Sequence, residues 1–135
     1  MFVNRKKSKR RRGAVIAESA IAYSVVFMVT LGTLGVGLGI VQYQELGWLA
    51  QEGARWAAVH GPTYQSEQGG AAPTGSSVMT NVITPKIGLL SSANLTCNLT
   101  MTNGRATVTL SYVWDPSAYL SPITLHSSSS IPITY

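Results

Sequence analysis

The longest apolar stretch in the chain runs from Ser19 to Val41 and contains no Asp, Glu, Lys or Arg. As a helix it measures roughly 34 Å at 1.5 Å per residue, about the hydrocarbon thickness of a bilayer. Beyond it the pattern stays helical. Ala50, Ala54, Ala57 and Gly61 make one stripe at three- and four-residue steps, and Trp48, Glu52, Arg55 and Val59 make another. No stop signal occurs before Gly61-Pro62. The pattern predicts one continuous helix over 14–60, membrane-spanning to about residue 41 and near 70 Å long. The distal part of such a helix outruns the bilayer and has to pack on something else.

Residues 61–77, GPTYQSEQGGAAPTGSS, read as a loop by composition. Val78, Val82, Ile83, Ile87 and Leu90 then recur at helical spacing, with Ser76 or Ser77 as N-cap. Pro85 should kink or break that helix near Thr84. After it the period changes to two. NLTCNLTM and RATVTLSYVW alternate around Asn103-Gly104, the strongest short-range hairpin signal. Pairing Thr102 with Arg105 puts Met101 opposite Ala106, Leu99 opposite Val108, Cys97 opposite Leu110 and Leu95 opposite Tyr112. That sorts the apolar residues onto one face, and a one-residue slip would destroy the sorting. Cys97 thus belongs to the apolar layer, which should lie on a helix. Asp115-Pro116 should end the second strand. Ile123 with Leu125, and Ile131 with Ile133, are short candidates for a third strand broken by the serine run 127–130.

Charge gives the span a direction. Arg5, Lys6, Lys7, Lys9, Arg10, Arg11 and Arg12 precede Gly13 without a single carboxylate. The rest of the chain sets Arg55, Lys86 and Arg105 against Glu18, Glu45, Glu52, Glu67 and Asp115. Basic residues beside a span stay on the cytoplasmic side, so the N-terminus is expected in the cytosol and residues from Gln42 onward outside. No nucleic-acid-reading surface accompanies the basic block, and nucleic acid is not expected as a partner. Trp48 and Tyr43 fit an outer headgroup belt. Gly32, Gly35 and Gly39 share a helix face, with Gly35 and Gly39 forming a GxxxG suited to close helix contact. Glu52 and Arg55 stand three residues apart and are expected to pair.

Little in the chain suggests catalysis. His60 and His126 have no ligand or catalytic companions at recognisable spacing. No GxSxG or phosphate-binding loop is present. A lone Cys97 allows no intrachain disulfide. Neither an enzyme nor a metal or other cofactor is expected. The domain organisation read from these patterns is a basic leader over 1–13, a long helix over 14–60, a linker over 61–77 and a small extracytoplasmic α+β domain over 78–135.

The segment RRGAVIAESA, with Gly13 followed by Glu18 and then an apolar run, resembles the leader of type IV prepilins and pseudopilins. Together with QEGARWAAVHG over residues 51–61, it is similar to the TadE-like pseudopilins of tight-adherence (Tad, Flp) pilus machines. The likeness covers Arg11 to about Gly61, and more faintly Thr107 to Tyr135. The chain departs from the family pattern at Ser19, Ser24 and Gly35, where an aromatic, a proline and an acidic residue are common. The resemblance implies a pilin-like fold, a small antiparallel sheet packed on a long N-terminal transmembrane helix. It implies cleavage by a prepilin peptidase between Gly13 and Ala14, and Glu18 pairing with the freed amino group of Ala14, its own or a neighbour's. Gly32, Gly35, Gly39, Glu52 and Arg55 join Glu18 as assembly residues. The function implied is a minor pilin or pseudopilin, partnered by other pilins and pilus assembly proteins and held in the inner (cytoplasmic) membrane. The competing reading is a single-span envelope protein whose small domain binds a partner without entering a pilus.

Overall fold

The computed structural model describes residues 7–116 and 121–133. Arg5 and Lys6 of the basic leader, and Tyr135 at the C-terminal end of the family likeness, lie outside the described residues. The chain is α+β: a long apolar N-terminal helix followed by a three-stranded antiparallel sheet packed on it.

Helix α1 runs over Lys7–Val59. The described residues are already helical from Lys7, so the helix includes basic residues ahead of the expected Ala14, where Lys and Arg are themselves good helix formers. The chain divides into two compact units, Met1–Gly37 and Leu38–Tyr135. In the first, α1 is long and apolar enough to cross a membrane, and only 6% of its most apolar eighteen-residue window is buried inside the protein. Three of its hydroxyls bond back to the helix's own backbone. Ser24, Thr30 and Thr33 each donate to the carbonyl four residues back, Ala20, Val26 and Val29, at 2.7–2.8 Å. Such a bond satisfies each hydroxyl without a partner from the surroundings.

The second unit begins as the distal part of α1. Leu46, Leu49, Ala50, Ala54, Ala57 and Ala58 are buried there, so the alanine stripe is a floor that lets the sheet come close. The expected linker is partly helical. Helix α2 spans Pro62–Gln68, with Pro62 in its first turn and Gly69 in the left-handed conformation at its end (φ 65°). Proline without an N–H suits the first turn of a helix, so Gly61-Pro62 stops one helix and starts the next. Helix α3 spans Gly75–Val78 and is capped by Thr74 rather than by Ser76 or Ser77: Thr74 Oγ1 accepts from Ser77 N, and Ser77 Oγ accepts from Thr74 N. The chain then widens into a π-helical turn, Met79–Ile83, and tightens into a 3-10 turn, Thr84–Lys86. This is the break expected at Thr84. Pro85 cannot donate, and its ring would strike the carbonyl four residues back in an α-helix. The wider turn relieves that, with Thr84 Oγ1 donating to Met79 O at 2.8 Å.

A short 3-10 turn, Ser92–Asn94, leads into the sheet. Strands β1 (Leu95–Thr102), β2 (Arg105–Trp114) and β3 (Ile123–Pro132) are ordered β1-β2-β3. The β1–β2 register is the one expected, from Leu95↔Tyr112 to Thr102↔Arg105. Asn103 (φ 53°) and Gly104 (φ 68°) both take positive φ, as the tight hairpin turn demands. The expected break in the third strand does not occur. β3 is continuous through the serines, pairing Ser127 with Leu110, Ser128 with Thr109 and Ser130 with Thr107. Serine's low strand preference is overridden by context. The outward serines bond across to threonines, Thr107 Oγ1 to Ser130 Oγ at 3.0 Å and Thr109 Oγ1 to Ser128 Oγ at 3.2 Å. The inward Ser127 is small enough to face α1 at Gly47, where an added Cβ would lie 3.8 Å from its Oγ.

The core joins both helical partners to one sheet face. Val78 and Ile83 come from the broken helix, and Leu95, Ala106, Val108, Leu110 and Tyr112 from the sheet. Cys97 packs half-buried against it, as expected.

Candidate functional site

Gly13, Ala14 and Glu18 lie on α1 and are exposed. Ala14 and Glu18 are one helical step of four apart, so they share a face. Gly32, Gly35 and Gly37 have nothing within 4 Å of the position a Cβ would take. In the unit Met1–Gly37 these glycines leave the helix surface open.

Gly39 belongs to the folded unit. Its added Cβ would lie 2.9 Å from Trp114 Cη2 and 3.0 Å from Cζ2. The GxxxG expectation is corrected at this end: Gly39 is covered by an indole of its own chain, and a second helix cannot use it while Trp114 stays there.

Glu52 and Arg55 line an open groove of about 310 Å³ together with Trp56, Val59 and His60 of α1 and Asn81, Val82 and Lys86 of the broken helix. The expected Glu52–Arg55 pair is replaced. Lys86 Nζ lies 2.5 Å from Glu52 Oε1, and the same ammonium is 5.8 Å from the centre of the Trp48 ring. Proline 85 fixes the turn that brings Lys86 over α1, a contact across thirty-four residues of sequence. The hydrogen bond and charge of Lys86 hold the Glu52 carboxyl below its ordinary value, with Arg55 adding a smaller pull. A carboxyl lowered in the folded state adds stability above its unfolded value and loses it as pH falls through the folded one. Both side chains are partly exposed, so the effect is small. Lys86→Ala should therefore lower the thermal midpoint slightly at pH 7 and leave it nearly unchanged well below pH 4, in melts followed across that range. An equal loss at both pH values would contradict a charge-based role.

His60 stacks on Trp56, centroids 4.1 Å apart, and meets Tyr64 edge-on at 4.6 Å. Its Nδ1 is 2.8 Å from Trp56 O. A carbonyl only accepts, so in this contact Nδ1 is the donor, and through it the histidine closes the helix end. His126 Nδ1 lies 2.9 Å from Ser111 Oγ on the outer sheet face. Burial pushes the Cys97 thiol up to about 11, which keeps it protonated and a poor nucleophile at neutral pH. Among the described residues no group of three His, Cys, Asp or Glu is placed to hold a metal.

One residue pair escaped the sequence. Glu45 Oε1 accepts from Gly88 N at 2.6 Å and Glu45 Oε2 from Leu89 N at 3.0 Å. Gln42 Nε2 donates to Leu89 O at 3.5 Å. Glu45 and Gln42 thus tie the 87–90 turn to α1. The glycine at 88 was the only local hint, since any larger residue there would crowd the carboxylate. Comparison of the chain with protein-family models, with curated proteins and with solved structures finds no match.

Proposed function

We propose that the chain is a minor pilin or pseudopilin, a structural or assembly subunit of a tight-adherence type pilus or secretion machine. Before assembly it is a single-pass inner-membrane protein with its N-terminus in the cytosol and its sheet domain outside. The observation that carries this reading is the double use of α1. Its proximal part is apolar and exposed, and its distal alanine face is the floor of a folded domain. Such a subunit can be held in lipid by the first part and later exchange lipid for neighbouring helices, while the domain travels with it. The seven basic residues before Gly13 supply the orientation. The choice of machine is supported by the segments around Gly13–Glu18 and over residues 51–61, which resemble those of TadE-like pseudopilins.

Glu18 is the residue on which assembly turns. A carboxylate at the edge of the apolar run is costly unless paired, and the freed amino group of Ala14, four residues back, is about one helical turn away along the chain. Glu18→Gln keeps the size and removes the charge. The variant should insert normally but lose most of its co-purification with pilus components, measured by quantitative pull-down from solubilised membranes. Unchanged recovery would make Glu18 a bystander and favour a membrane-anchored binding module.

A further inference from the structure

The 87–90 turn and the end of β2, both in the unit Leu38–Tyr135, converge on one short stretch of α1. The 87–90 turn is tied to Gln42 and Glu45. The end of β2 lays Trp114 on Gly39. The helix residues they reach include the last members of the apolar run Ser19–Val41. A bilayer that covers the run to Val41 therefore meets both elements at the same helical turns.

The two elements are made for that meeting. Leu89 is 59% exposed, yet its N–H donates to Glu45 at 3.0 Å and its C=O lies 3.5 Å from Gln42 Nε2, at the outer reach of a hydrogen bond. An exposed loop leucine whose N–H is bonded and whose C=O has a donor within reach loses less on leaving water than one with bare backbone groups. The Glu45 carboxylate is also shielded, because it spends its oxygens on the Gly88 and Leu89 amides. At the second contact, exposed Ile123, the first residue of β3, pairs with Trp114, the last of β2. Tyr43 and Trp48 are both exposed nearby on α1. Aromatic side chains of this kind favour the headgroup level of a membrane.

We infer that these elements form a collar that sits in the headgroup zone of the bilayer crossed by α1, with Leu89 as its inserting tip. The inference rests on the membrane-span reading above. Lipid is the occupant because the patch continues the apolar run along the chain. The collar fixes the height of the sheet domain over the membrane and ends the lipid-surrounded part of α1 near Leu38 rather than Val41.

The test uses the full chain in phosphatidylcholine–phosphatidylglycerol vesicles, in a Cys97→Ala background, with a nitroxide attached after Leu89→Cys. Met28→Cys marks the span and Asn98→Cys the outer sheet face. Relaxation by oxygen and by a water-soluble nickel chelate is measured at each. Positions 28 and 89 should favour oxygen several-fold over position 98, which should favour nickel. If position 28 reads as lipid while 89 is as wet as 98, the collar is wrong and the span stands. If position 28 is itself wet, the membrane reading fails and takes the collar with it. If position 89 is shielded from both reagents and its spectrum broadens as protein is concentrated in the vesicles, a second copy covers the patch and the inference is overturned.

Discussion

Leu110→Asp should unfold the sheet domain, while Thr109→Asp, its neighbour on the opposite face, should leave it folded. Leu110 is fully buried and lies between Cys97 and Ser127 in the sheet. Losing the leucine contacts costs about 2–5 kcal/mol, and burying a carboxylate with no partner adds several more. A small domain has only about 5–15 kcal/mol in total. Thr109 faces outward and shares a hydroxyl contact with Ser128, whose loss should cost at most about 1 kcal/mol. The measurement is near-ultraviolet circular dichroism with limited proteolysis of the detergent-solubilised full chain. Far-ultraviolet signal alone is a poor readout, because the apolar part of α1 stays helical in a micelle. If the two variants melt alike, the register and the sheet-on-helix packing are wrong together.

Gly75→Ala should lower domain stability by about 1–2 kcal/mol, within the usual range for overpacking. The added methyl would lie 2.6 Å from Cys97 O and 3.3 Å from Cys97 C. Those are backbone atoms of a paired strand and cannot swing aside as a side-chain tip can. Alanine's better helix propensity and lower unfolded entropy give back part of the loss. Gly70→Ala is the control, since its methyl would meet only Tyr64 Cε1 at 3.9 Å. In thermal melts the Gly75 variant should fall by roughly 4–16 °C, at about 4–8 °C per kcal/mol, and the Gly70 variant should stay close to the parent. Equal melting would mean that α3 does not press on β1.

The parts of the fold legible in the sequence were those fixed by local rules. Asn103-Gly104 allows one turn, and the alternation on either side allows one register, so the β1–β2 pairing could be written residue by residue. The alanine stripe over 50–57 announced a buried helix face, and Pro85 announced a break. The features that were not legible depend on distant partners. The serines of β3 form a strand because β2 offers threonines opposite them. Glu52 turns from Arg55 to Lys86 because a broken helix brings an ammonium across thirty-four residues. Gly39 looked like a helix-packing glycine until Trp114, seventy-five residues on, was found over it. Of the candidate assembly residues, Glu52 and Arg55 come together in one groove. Gly13, Glu18, Gly32 and Gly35 stay on an open helix surface, where their contacts would come from a partner and not from this chain.

The most direct test of the account is the intact mass of the full-length protein extracted from membranes of cells with an active prepilin peptidase. The reading of Gly13 and Glu18 as a prepilin signal predicts a chain that begins at Ala14, with the basic leader removed, and an uncut precursor when Gly13 is replaced by leucine. A mature protein that still begins at Met1 in such cells would contradict the pseudopilin assignment.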